Sequence, residues 1–104
     1  MKKIYLAIPY SQMPEKSFYI ANKISAIFME KGFIVFSPIS HSHPISMEMK
    51  RYQTNYHFWL SQDRVWFEYC EMLVVLMLPG WKESKGVQIE IGWARELKMP
   101  IVYI

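Results

Sequence analysis

Apolar residues along the chain fall into short continuous runs and longer stretches of helical periodicity. The continuous runs cover residues 3–8, 33–36, 72–78 and 100–104, and such runs are typical of strands buried on both faces of a sheet. Residues 14–31, 47–69 and 86–98 repeat apolar positions at the spacing of a helix. We expect the middle stretch to form two helices broken near Ser61, and residues 39–45 to form a loop.

The order β-α-β-α-β-α-β predicts an α/β fold. Strands that alternate with helices and lack polar alternation favour a parallel sheet covered on both faces. We therefore expect a Rossmann-like (flavodoxin-like) three-layer sandwich with a short parallel sheet of about four strands, formed by residues 1–104 as one domain. Ligands of such sheets bind beyond the carboxyl ends of the strands. This rule directs attention to residues 9–13, 37–47, 61–64 and 79–90.

Composition narrows the class of protein. The chain has 104 residues, of which 52% are hydrophobic and 20% charged, which excludes disorder and a second domain. This apolar surplus predicts a pocket or a partner interface. The net charge of +3 comes from scattered basic residues, so no nucleic-acid partner is expected. No apolar run is long enough for a membrane span, and the single cysteine, Cys70, predicts a cytoplasmic protein without disulfides.

Two acidic residues interrupt the apolar faces of their predicted helices. Glu90 lies within a stripe formed by Val87, Ile91, Ala94 and Leu97, and Asp63 lies within one formed by Trp59, Trp66, Phe67 and Cys70. Burying a carboxylate on an apolar face costs several kcal/mol of folding free energy unless the group is paired. Such a cost is tolerated where the group has a function. Either both helices are rotated so that the acids are exposed, or the acids converge at the strand ends as catalytic groups. Glu90 lies near a helix N-terminus, which favours the ionised form that a nucleophile needs.

Polar residues also follow the other predicted strands. The segment 82–86 contains two lysines, Ser84 and Gly86, which suits either a phosphate-binding turn or an ordinary polar loop. Tyr10 and Ser11 follow the first strand and are expected to line the same crevice. His41 and His43 would point the same way from an extended loop. They could bind a polar ligand, bind a metal or have a structural role in the loop. No further ligand follows at metal spacing before Glu48, so neither a metal nor a cofactor is expected.

Several of these segments together resemble the nucleoside 2-deoxyribosyltransferase superfamily, which includes the 2′-deoxynucleoside 5′-monophosphate N-glycosidases. The resemblance spans nearly the whole chain. Its most specific part is the run from Gly86 to Ala94. The matching segments are Tyr5-Leu6-Ala7 with Pro9, Phe36-Ser37-Pro38, Asp63, Leu73-Val74-Val75 and Ser84-x-Gly86-x-x-x-Glu90-x-Gly92-x-Ala94.

The resemblance implies cleavage of an N-glycosidic bond. Glu90 aligns with the nucleophile of the superfamily, which attacks C1′ of the sugar and forms a glycosyl-enzyme intermediate. Asp63 matches the second catalytic carboxylate, which orients the nucleophile or assists proton transfer. Water then releases the sugar, or a second base is glycosylated in its place.

The resemblance also suggests a substrate. At the position of Ser84 the nucleoside transferases carry an acid, whereas the monophosphate hydrolases carry serine. The chain is therefore expected to hydrolyse a nucleoside 5′-monophosphate, with Tyr10, Ser11, His41, His43, Ser84 and Gly86 as substrate-binding residues. Deoxyribosyl transfer and non-catalytic nucleotide binding remain alternatives. The resemblance further implies a homodimer or higher homo-oligomer.

Overall fold

A computed structural model describes residues 1–104. The chain forms four strands and four helices, two of which follow one another between the second and third strands. None of the helices combines the length and apolar character needed to cross a bilayer. The elements are β1 (Lys3–Ala7), α1 (Pro14–Glu30), β2 (Ile34–Phe36), α2 (Pro38–Ser46), α3 (Tyr56–Tyr69), β3 (Met72–Val75), α4 (Lys85–Glu96) and β4 (Ile101–Tyr103).

The strands form one parallel sheet in the order β2-β1-β3-β4. Tyr5 on β1 pairs with Phe36 on β2 and with Leu73 on β3, so β1 lies in the interior of the sheet. Because all strands run the same way, their carboxyl ends meet at one edge. The segments that follow β1, β2 and β3 therefore face a common crevice.

Helices cover both faces of this sheet. Successive side chains of a strand point to opposite faces, so Ile4 and Leu6 pack with Ala21 of α1. Tyr5 and Ala7 pack on the other face, in a core that α3 and α4 supply. The residues of α3 and α4 in that core are Phe67, Val87, Ile91 and Ala94. The α/β three-layer architecture with a four-stranded parallel sheet is thereby confirmed.

The prediction of a loop over residues 39–45 is wrong, because these residues lie within helix α2. Ser37 is the N-cap and its hydroxyl oxygen accepts the backbone N–H of Ser40 at 3.3 Å. Pro38 occupies the first helical turn, where its fixed φ suits a helix and its missing N–H costs nothing. Serines and Pro44 make the remaining sequence a poor helix former, and contacts with α1 stabilise the helix instead.

The stretch 47–69 is also not two helices broken near Ser61. Helix α3 begins only at Tyr56, where the N-cap Asn55 accepts the backbone N–H of Phe58 at 3.1 Å. It then continues through Ser61, whose hydroxyl donates to the carbonyl of Phe58 at 2.7 Å. Residues 47–55 form turns instead, and Tyr52 has a φ of 65°, a left-handed conformation that interrupts a helix.

Candidate functional site

A cavity of about 710 Å³ opens at the carboxyl ends of the strands. Its volume lies within the usual range of small-molecule sites, about 300–1,000 Å³. Segments after β1 and β3 contribute to its wall together with α2, α3 and α4. Its lining includes Gly86 and the polar residues Tyr10, Ser11, Glu15, His43, Asp63, Ser84, Lys85 and Glu90.

Glu90 reaches the cavity from the second turn of α4 and is only 5% exposed. Val87, Ile91 and Ala94 hold this face of the helix against the sheet. The Tyr5 hydroxyl donates a hydrogen bond to the Glu90 carboxylate. Burial raises the pKa of Glu90 to about 8, the Tyr5 hydrogen bond opposes that rise, and the negative charge of Asp63 adds to it.

Asp63 lies on the buried face of α3 and is 7% exposed. Its carboxyl group makes no hydrogen bond within the chain, including none to Glu90, although both groups line the same cavity. Burial raises the pKa of Asp63 to about 7. Two carboxyl groups that titrate near neutral pH are suited to exchange protons with a ligand.

The start of α4 forms a third part of the wall. Ser84 is the N-cap and accepts the backbone N–H of Val87 at 3.3 Å, and its own hydroxyl proton stays free to donate. Lys85 and Gly86 follow in the first turn. Nothing lies within 4 Å of the position that a Cβ would occupy at Gly86, so a ligand has access to this stretch of backbone.

A hydrogen-bonded chain of three side chains forms the opposite wall. The Tyr10 hydroxyl lies 2.6 Å from Nδ1 of His43, and Nε2 of His43 lies 3.3 Å from the Glu15 carboxylate. The Phe18 ring packs against the imidazole with ring centroids 4.6 Å apart. His43 is buried, whereas Glu15 is 79% exposed. The three hydrogen-bonded side chains therefore lead from the cavity to the protein surface.

A family model described as "Domain of unknown function (DUF1937)" matches residues 2–104. The chain belongs to this family. No curated protein matches it. Because the description of the DUF1937 family states no activity, the kinship to nucleoside 2-deoxyribosyltransferases stays a prediction.

Most of the predicted site residues of this DUF1937 domain lie around one cavity. Tyr10, Ser11 and His43 line it together with the acids and the start of α4. His41 does not line this cavity and lies instead at a smaller one of about 250 Å³. The expectation that both histidines point the same way is wrong, because positions two apart on a helix point in different directions. No cluster of three or more His, Cys, Asp or Glu side chains is arranged to hold a metal ion.

The apolar stripes predicted around the acids need two corrections. Leu97 and Trp66 are both about half exposed, because the buried faces of α3 and α4 centre on Phe67 and on Ala94 instead. Of the four tryptophans, only Trp59 lines the main cavity. Trp59 also donates its indole N–H to the carbonyl of Gln53 at 3.0 Å, which ties α3 to the turn that precedes it.

Two functional contacts in this DUF1937 domain were not predicted from the sequence. Tyr5 is the one polar side chain among the buried residues of β1, and a buried tyrosine hydroxyl normally requires a partner. That signal indicates a hydrogen bond but does not identify Glu90. Glu15 gives no comparable signal, because acids are common in the first turn of any helix.

Proposed function

We propose that this protein is an N-glycosidase that hydrolyses a nucleoside 5′-monophosphate. The observation that carries the proposal is the pair of buried carboxyl groups, Glu90 and Asp63, which face one cavity from neighbouring helices. Their pKa values, raised by burial to about 8 and about 7, place both titrations close to neutral pH. A retaining cleavage uses one carboxylate as the nucleophile and a second as the base that accepts a proton from water.

In the first step the Glu90 carboxylate attacks C1′ of the sugar. A bond forms between its oxygen and C1′, and the bond between C1′ and the base nitrogen breaks with its electron pair leaving on the base. The Tyr5 hydroxyl supports this step, because its hydrogen bond to Glu90 favours the ionised form. In the second step water attacks C1′, Asp63 accepts a proton from that water, and Glu90 leaves as a carboxylate.

The start of α4 is the proposed phosphate site. A free helix N-terminus attracts anions through its backbone N–H groups and dipole. Ser84 and Lys85 add a hydroxyl and a positive charge beside it, and Gly86 leaves the backbone uncovered. The 5′-phosphate would lie here, with C1′ directed toward Glu90 one turn further along the helix.

A second function, nucleotide binding without turnover, is favoured by one observation. Glu90 with a pKa of about 8 is mostly protonated at neutral pH in the free protein, and a protonated carboxyl group is not a nucleophile. Ligand binding must therefore promote its ionisation if the protein is an enzyme. Homodimer formation and a cytoplasmic location stay predictions alongside both functions.

The purified protein should be incubated with a panel of purine and pyrimidine ribo- and deoxyribonucleoside 5′-monophosphates. Free base and sugar phosphate, separated by chromatography, are the expected products. Nucleosides without the phosphate serve as the matched control and should react much more slowly. Added free base distinguishes transfer from hydrolysis, because a transferase would form a new nucleotide. Calorimetric binding with no base release would contradict the hydrolase and support the binding function.

Replacing Gly86 by alanine should separate ligand binding from stability. Because the added Cβ meets no atom within 4 Å, Gly86→Ala should raise the free energy of unfolding by about 0.5–1 kcal/mol, the usual gain in a helix. The same methyl group would stand where the phosphate approaches, and we expect binding of the monophosphate to weaken about 10-fold.

Gly92→Ala is the matched control on the same helix, since its Cβ also meets nothing within 4 Å and it lies away from the cavity. Thermal unfolding should show a similar gain in both variants, whereas calorimetry should show weaker binding only in Gly86→Ala. Equal affinity in the two variants would argue against a phosphate site at the start of α4.

A further inference from the structure

We propose that Tyr10, His43 and Glu15 form a proton relay, in which Tyr10 protonates the departing base and His43 replaces the proton. The inference rests on the proposed function, because it supplies the proton that the first step of glycoside cleavage requires. Neither Glu90, as the nucleophile, nor Asp63, as the acceptor for the water proton, is needed for this role. Tyr10 would be a catalytic residue, and His43 and Glu15 would act through it.

The position of the relay relative to the phosphate site supports this role. In the sheet order β2-β1-β3-β4, the segment after β2, which carries His43, and the segment after β3, which carries Ser84, lie on opposite sides of β1. A nucleotide with its phosphate at Ser84 and its C1′ at Glu90 therefore extends its base toward Tyr10. Tyr10 and His43 both line that side of the cavity.

The hydrogen bonds among Tyr10, His43 and Glu15 allow a proton transfer that conserves protons and charge. With His43 protonated, Nε2–H donates to the Glu15 carboxylate and Nδ1–H donates to the Tyr10 oxygen, so that the Tyr10 proton is free to point toward the ligand. As the C1′–N bond breaks, the Tyr10 proton moves to the base nitrogen and the Nδ1 proton moves to the Tyr10 oxygen. The products are a neutral base, a neutral Tyr10 and a neutral His43.

The surroundings of His43 fix its orientation for this transfer. Phe18 packs against the ring, and the Ser46 hydroxyl donates to the His43 carbonyl at 2.7 Å. Burial raises the pKa of Tyr10, a hydrogen bond with Ser46 opposes that rise, and the negative charge of Glu15 adds to it, so the hydroxyl keeps its proton at neutral pH. The exposed Glu15 carboxylate connects His43 to solvent, from which the relay regains its proton. The other ionisable groups that line the cavity are Tyr56, Asp63, Glu83, Lys85 and Glu90.

The relay is tested by comparing two leaving groups in the Tyr10→Phe and His43→Gln variants. One substrate is the nucleoside monophosphate that the unaltered protein cleaves fastest, whose base needs a proton to leave. The other is the 4-nitrophenyl glycoside of the same sugar 5-phosphate, whose 4-nitrophenolate leaves without one. We expect both variants to release base about 100-fold more slowly, and 4-nitrophenolate within about 3-fold of the unaltered rate.

Glu15→Gln should fold as well as the unaltered protein, because the side chain is largely exposed. We expect it to slow base release about 10-fold and to leave 4-nitrophenolate release unchanged. Glu30→Gln, also exposed on α1, is the matched control and should leave both rates unchanged.

The other outcomes would each overturn the relay. Equal losses on both substrates would show a structural role and overturn the relay, as would normal base release by Tyr10→Phe. Release of 4-nitrophenolate alone by the unaltered protein would overturn the relay and leave the Glu90 chemistry standing. Release of neither product by the unaltered protein would overturn the proposed function, and the relay with it.

Discussion

Glu90→Gln should lower base release from the nucleoside monophosphate by at least about 1,000-fold. The substitution keeps the length of the side chain and an oxygen that accepts the Tyr5 hydroxyl, but it removes the carboxylate that attacks C1′. Loss of a covalent nucleophile is among the largest effects that a single substitution has on an enzyme. Single-turnover chromatography of the released base measures the effect directly.

Glu96→Gln makes the same chemical change on the same helix, where the side chain is 62% exposed and pairs with Arg64 at 3.1 Å. Exposed pairs contribute little to stability, and this control should cleave at the unaltered rate. Calorimetry should show that Glu90→Gln still binds the monophosphate, which separates lost chemistry from lost binding. Base release that survives Glu90→Gln would remove Glu90 from the mechanism.

The free energy of unfolding should fall as pH rises from about 4 to 8. In the unfolded chain Glu90 and Asp63 ionise at their ordinary pKa values of 4.5 and 3.8, whereas in the folded chain these values are about 8 and about 7. Between those limits the folded state holds more protons than the unfolded state, so raising the pH favours unfolding. A tenfold difference in proton affinity corresponds to about 1.4 kcal/mol, so we expect Glu90 alone to cost roughly 4–5 kcal/mol at pH 8.

Urea unfolding at several pH values measures this loss. Glu90→Gln should unfold at higher urea than the unaltered protein at pH 8 and at a similar concentration near pH 4. Adding Asp63→Asn should flatten the dependence further, whereas Glu96→Gln should leave the slope unchanged. A slope between pH 4 and 8 that is the same with and without Glu90→Gln would contradict ionisation of a buried Glu90.

The sheet and most helices could be predicted from the sequence because their signals are local. Residues 3–8 and 72–78 are apolar without alternation, and they contain β1 and β3, which are covered on both faces. The interruption of the α4 stripe by Glu90 likewise predicted a buried acid or a rotated helix. The structure has the acid buried, because the glutamate shares its face with Val87, Ile91 and Ala94.

The remaining features depend on contacts between distant parts of the chain, which local signals do not contain. Helix α2 has weak intrinsic propensity and is stabilised by packing on α1, so its seven predicted loop residues looked irregular. The separation of His41 from His43 follows directly from that error. The partner of Glu90 was not predictable for the same reason, because nothing near Glu90 in the sequence points to Tyr5.

The hydrogen bond between Tyr5 and Glu90 joins positions 85 residues apart. Contacts at such separation require closure of a long loop, which costs chain entropy and slows folding. A chain that has folded only its second half holds α3 and α4 but lacks the hydroxyl that favours the Glu90 carboxylate. Such a chain also leaves Glu90 open to water, where its pKa keeps the ordinary value. The raised pKa of this acid therefore arises only when the first strand has closed over it.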